Sequence, residues 1–145
     1  MPTTPKYLPL FAYGTLRPGC GNYRRLLAGH VIDEQDATAH GYALYTHGPY
    51  PYAVAERGAT VTGSLLTISR VSYGEVLGTL DQLEGYRTEN PEHSHYVRLA
   101  RAVEVPFMSF ATELVAAWIY EAGPTVDVST MHLVAEGDWL AHRTG

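Results

Sequence analysis

Apolar residues recur along this chain in two rhythms, and the change between them divides the sequence. Short runs rich in aromatic and branched residues, broken by Gly and Pro, mark strands. The first covers residues 7–13 and stops abruptly at Gly14. A loop follows through Thr15-Leu16-Arg17-Pro18-Gly19-Cys20-Gly21. Asn22, residues 23–28 and Gly29 then match an N-cap, about two helical turns and a glycine stop. Between Val31 and Ile68 the segments 41–46, 52–56 and 60–68 are separated by Gly and Pro, which predicts an antiparallel meander. At Ser72-Tyr73-Gly74-Glu75 the spacing changes to that of a helix. The Ser-x-x-Glu order is that of a capping box, and Val76, Leu77, Leu80 and Leu83 follow before Gly85 ends the run. Two more strands are expected over residues 96–105 and 113–120. An irregular tail then runs from Gly123-Pro124 to Gly137-Asp138-Trp139.

The helix contains an anomaly. Advancing about 100° per residue from Val76 puts Leu83 at about 340°, Leu80 at about 40° and Leu77 at about 100°, which defines an apolar arc. Glu84 falls at about 80°, inside that arc, while Asp81 at about 140° and Gln82 at about 240° are expected to face water. A buried carboxylate without a partner is costly, and its usual response is a raised pKa. Exposed carbonyls of the last helical turn push the same way. A glutamate tuned from about 4.3 toward roughly 6–7 can both take and give protons at neutral pH. The competing reading is a structural ion pair of Glu84 with Arg87, Arg98 or Arg101.

Composition narrows the classes of function. The chain has 145 residues, 46% hydrophobic and 17% charged, which fits one domain over residues 1–145. Ten Lys and Arg against 15 Asp and Glu give a formal net charge of -5 with no basic cluster, so neither nucleic acid nor anionic lipid is an expected partner. Cys20 is the only cysteine, which excludes an intramolecular disulfide and a thiolate zinc cluster. No signal-like N-terminus or membrane-length apolar run is present, so a soluble, cytoplasmic protein is expected.

Tyr13-Gly14-Thr15-Leu16 is the second place where the pattern suggests chemistry. It stands where a strand passes through a loop to the start of a short helix. Gly14 allows the backbone to turn and a ligand to come close, so successive N–H groups can converge on a carboxylate or an oxyanion. The loop lacks the Gly-Lys-Ser/Thr of a P-loop and the Gly-x-Gly-x-x-Gly of a dinucleotide fingerprint. A plain tight turn is the alternative.

Taken together, Phe11-Ala12-Tyr13-Gly14-Thr15-Leu16-Arg17-Pro18-Gly19 and Leu80-Asp81-Gln82-Leu83-Glu84-Gly85-Tyr86 resemble the two signatures of the γ-glutamylcyclotransferase-like family. Tyr96-Val97-Arg98, Ala117-Trp118-Ile119-Tyr120 and Gly137-Asp138-Trp139 look like its later elements. The resemblance implies an α+β fold: a small, mostly antiparallel β-barrel with flanking helices. It also implies that Tyr13, Gly14, Thr15 and Leu16 cradle a γ-glutamyl group, that Tyr96 contacts it, and that Glu84 is the general acid/base. The implied reaction closes a γ-glutamyl group into 5-oxoproline and releases an amine, with a small-molecule substrate and no metal or other cofactor. Thr15 stands where many members have serine, and the 85–95 segment is longer than in members that act on glutathione. The nearest subgroup is the short members acting on γ-glutamyl amines.

Other readings compete. A non-catalytic module with the same pocket would bind the ligand without turnover. His93 and His95, with His132 or His142, would suit a metal hydrolase, although no ordered ligand set accompanies them. Cys20 has no histidine partner legible in sequence, and no Gly-x-Ser-x-Gly elbow occurs. Tyr120 reads as core, rim or pocket, and Trp118 as packing.

Overall fold

A computed structural model describes residues 7–144. The reading of residues 1–6 for a targeting signal, and the outer limits of the expected domain, lie outside the described residues. Along the chain come β1 (Leu10–Ala12), a π-helical turn (Tyr23–Leu27), β2 (Val31–Thr46) and β3 (Pro51–Ile68). After them come α1 (Tyr73–Glu84), a 3-10 turn (Pro91–His93), β4 (Tyr96–Phe107), β5 (Ala111–Ala122), β6 (His132–Leu133) and α2 (Trp139–Thr144).

Two long antiparallel hairpins dominate. β2 pairs with β3 from Val31 opposite Ile68 to Thr46 opposite Pro51, and β4 pairs with β5 from Tyr96 opposite Ala122 to Phe107 opposite Ala111. β1 joins them, antiparallel to β3 and parallel to β5, while β2 meets β4 at Thr38 and Glu104. The pairings run β2–β3–β1–β5–β4 and return to β2, so five of the six strands close into a ring, and β6 pairs with the end of β2 outside it. This is the expected α+β, mostly antiparallel architecture with few helices.

Alternation along the strands divides the apolar side chains into two clusters. Phe11, Leu44, Val61, Val103 and Ile119 form one with Trp139 of α2. Leu10 and Ala12, the neighbours of Phe11, turn the other way and join Leu27, Leu66, Val76, Leu77 and Leu80. Burial of Leu80 and Val76, at 0% and 4% exposure, contributes about 1.5–3 kcal/mol for each side chain and anchors α1 on the sheet.

Several expectations need correction. The three strands expected between residues 41 and 68 are parts of two longer ones, because Gly41 and Gly58, both with positive φ, bend β2 and β3 without ending them. The register shift between His40 and Tyr42 marks that bend. The first strand is shorter than residues 7–13. The capping box is not made: Ser72 gives no side-chain cap, since its Oγ lies 2.9 Å from His30 Nδ1. Asn22 does not cap either, because its amide turns toward the loop before it. Leu83, placed on the apolar arc, is 40% exposed. The tail is partly ordered into β6 and α2, whose start Asp138 caps by accepting from the Leu140 and Ala141 N–H groups. Gly85 does end α1, in the left-handed region, with the Tyr86 N–H reaching Asp81 O.

Candidate active site

Between the loop after β1 and the end of α1 lies a cleft of about 310 Å³. Tyr13, Gly14, Thr15, Leu16, Glu84 and Tyr96 all line it, so the fold brings together the six residues that the family resemblance implied, while Cys20, His93, His132 and His142 lie outside its lining.

Glu84 is half-buried, in the last turn of α1. Among the described residues its carboxylate has no hydrogen bond or ion pair, and burial pushes it from 4.5 up to about 7. None of the arginines proposed as structural partners reaches it. Arg98 instead grips Asp81 with Nε 2.8 Å from Oδ1 and Nη2 3.1 Å from Oδ2, and Arg101 pairs with Glu121 at 3.5 Å. Asp81, expected to face water, is therefore corrected: its side chain is 16% exposed and also accepts from Tyr120 Oη at 2.7 Å. The helical wheel could not show this. Arg98 and Tyr120 are directly opposed across β4 and β5, and together they reach over the helix to collect that carboxylate.

The loop is held from several sides. Tyr13 Oη donates to the Tyr120 carbonyl and accepts from the Ala53 N–H, so its ring is a strut buried in the floor. Gly14 has no positive φ, which corrects the expectation that it frees the turn. Glycine suits the position because an added Cβ would stand 2.9 Å from Pro51 Cγ, so that the ring or the loop would have to shift. The Leu16 side chain is buried in the cluster under α1. Asn22 Nδ2 donates to Thr15 Oγ1 at 2.8 Å. Arg17 is tied to Asp138 by an ion pair at 3.1 Å, so the C-terminal Gly-Asp-Trp motif braces the loop. Among the described residues, the N–H groups of Gly14, Thr15 and Leu16 donate to no protein acceptor.

Tyr96 completes the wall. Its Oη donates to the Pro51 carbonyl at 2.9 Å and its ring stacks on Tyr52 at 4.8 Å. Burial, and after it the charges of Tyr13 and Glu84, drive its pKa far up, so it is a neutral hydroxyl beside the carboxylate. Tyr120 also reaches the cleft from a buried position.

His95, Asn22, Arg25 and Tyr50 belong to the cleft and were not assigned to it from sequence. Asn22 carried a weak signal, standing next to a glycine-rich loop; the others follow from tertiary contacts alone. His95 Nε2 is hydrogen-bonded to Tyr52 Oη, and His142 stacks on Trp139 at 5.6 Å. Among the described residues no three His, Cys, Asp or Glu side chains gather as a metal-binding group. The 85–95 segment folds back on α1, with the His95 N–H reaching Gly85 O at 3.3 Å and the buried Ser94 hydroxyl accepting from the Arg87 N–H. No helix among the described residues is long and apolar enough to cross a membrane.

The arrangement can bind an anion at unpaired backbone N–H groups and move a proton at an adjacent carboxyl poised near neutrality. The chain resembles in fold an AIG2-like protein of Mus musculus, with a TM-score of 0.63, 21% identity and coverage of 91% of this chain and 88% of that one. Protein ytfP of Escherichia coli superimposes with a TM-score of 0.56 at 26% identity, covering 94% and 99%. A protein of Arabidopsis thaliana gives 0.59 at 25% identity, covering 99% and 79%. No curated protein matches by the same standard. The family model described as gamma-glutamyl cyclotransferase, AIG2-like, matches residues 10–141, and the chain belongs to that family.

Proposed function

We propose that the protein catalyses intramolecular transfer of a γ-glutamyl group onto its own α-amine, giving 5-oxoproline and a free amine. The carrying observation is Glu84, a half-buried carboxyl without a partner among the described residues, held at about 7 beside a loop with three unengaged N–H groups. The α-ammonium of the substrate, with a pKa of about 7.7–8, cannot attack until it loses a proton. Glu84 takes it. The amine nitrogen then bonds to the γ-carbonyl carbon, the proton held by Glu84 goes to the departing nitrogen as the amide C–N bond breaks, and the carboxylate so restored takes the second proton from the ring nitrogen, which the freed amine carries away as an ammonium. Loop N–H groups of Gly14 to Leu16 receive the glutamyl carboxylate or the oxyanion. Both reacting groups belong to one molecule, so orientation in the cleft supplies much of the acceleration, up to about 7–11 kcal/mol in favourable systems.

The test is release of 5-oxoproline from γ-glutamyl amines, γ-glutamyl amino acids and Nε-γ-glutamyl-lysine, by wild type and Glu84→Gln. Turnover by wild type and its loss in the variant, with binding kept, is the expected result. Binding without turnover by wild type would make the protein a ligand-binding module, and near-normal turnover by the variant would remove Glu84 as the base.

A further inference from the structure

The cleft changes character with depth. At its floor Tyr13, Tyr96 and Tyr120 are 6%, 7% and 3% exposed, and their hydroxyls are engaged within the protein. At its mouth Tyr50 is 53% and Leu83 40% exposed, and Arg25 is exposed as well. Among the described residues lining the cleft, Arg25 carries the one fixed positive charge, in a chain whose formal net charge is -5.

Arg25 is braced from below. Its Nη2 donates to Asn22 Oδ1 at 2.8 Å, and Asn22 Nδ2 donates in turn to Thr15 Oγ1 at 2.8 Å. The guanidinium is thus connected through one amide to the loop that lines the floor. The widened π turn, in which the Ala28 N–H reaches Tyr23 O, separates the two adjacent arginines. Arg24 turns back to the Gly19 carbonyl, whereas Arg25 stands over the cleft. Of its five N–H donors, one is used, and among the described residues no carboxylate pairs with it.

We propose that Arg25 selects the leaving amine by receiving a carboxylate carried on it, so that γ-glutamyl derivatives of α-amino acids are preferred over those of simple alkylamines. This rests on the cyclotransfer reading and names its substrate class. The γ-carbonyl must lie beside Glu84, and the glutamyl carboxylate has the N–H groups of Gly14 to Leu16 to receive it. The substituent on the departing nitrogen therefore projects toward the mouth. An α-amino acid places its carboxylate two bonds from that nitrogen, within the sweep of a braced guanidinium that can take it in two parallel hydrogen bonds. Its side chain then meets the exposed surfaces of Tyr50 and Leu83, so apolar amino acids fit best.

γ-Glutamyl-alanine and γ-glutamyl-ethylamide differ only in that carboxylate, and their kcat/KM ratio is the readout, compared across wild type, Arg25→Met and Arg25→Lys. Wild type should favour γ-glutamyl-alanine. Arg25→Met should shrink the ratio about 10-fold or more, mainly through KM, with Arg25→Lys in between and high salt reducing the wild-type preference. Equal losses on both substrates would assign Arg25 to the glutamyl carboxylate and overturn the proposal; an unchanged ratio would overturn it too. If wild type turns over neither compound, calorimetric binding decides. An Arg25-dependent preference in affinity would sustain the selectivity and sink the cyclotransfer reading, and binding of neither would sink both.

Discussion

Two carboxylates three residues apart at the end of α1 have opposite fates. Asp81 is clamped by Arg98 and Tyr120, with the guanidinium also lying 4.4 Å over the Trp118 ring. Glu84, one turn further along, lines a cleft, has no ion pair among the described residues and is raised to about 7 by burial. The first carboxylate fastens the helix to the sheet through Arg98, and the second is left without a partner among the described residues. Position on a helix sets what a side chain points toward; the partner found there sets its chemistry.

The largest test of this contrast is Glu84→Gln. General acid/base groups contribute about 10²–10⁴-fold, so kcat should fall by that order while the circular dichroism spectrum is kept. Asp81→Ala should act on the fold instead. It leaves a mostly buried guanidinium without its partner and should cost about 3 kcal/mol in urea unfolding, with a much smaller drop in kcat than Glu84→Gln.

The pH dependence of stability separates the two residues again. Glu84 has a folded value of about 7 against 4.5 unfolded, so the folded chain binds more protons between those values. Its contribution is full below about pH 4.5 and is lost as pH rises through about 7, amounting to about 3 kcal/mol. Glu84→Gln should lack that slope, so its stability relative to wild type should grow from pH 4 to pH 8; parallel curves would mean that Glu84 is solvated. Gly14→Ala should have the smallest effect. The added Cβ meets the Pro51 ring and should cost about 1–3 kcal/mol, with a raised KM because the loop is displaced from Glu84.

Much of this site was legible in the residues. A glutamate at an apolar phase of a helix and a glycine-bearing turn after a strand were visible as exceptions to local pattern, and the structure places both on one cleft. A turn that needs positive φ at Gly14 is not found, and the constraint on an added Cβ there comes from Pro51, distant in sequence. The capping box at Ser72 failed for a similar cause: His30 competes for the serine hydroxyl. Asp138 caps α2 in a stretch expected to be irregular, and its bond to Arg17 did not show in any local window.

Apart from closure of the sheet, which only the family resemblance implied, the sequence by itself determined the antiparallel strand segments, the end of α1 at Gly85 and the inward phase of Glu84. These depend on side-chain period and backbone stereochemistry, which act over a few residues. Only the tertiary structure decided that Arg98 belongs to Asp81, that Asn22 holds Arg25 over the cleft, and that the C-terminal helix braces the loop through Arg17. Each of those is a choice among several chemically equivalent partners. Such choices are made by which strands and turns closure of the sheet brings within hydrogen-bond reach, a distance that local periodicity does not encode.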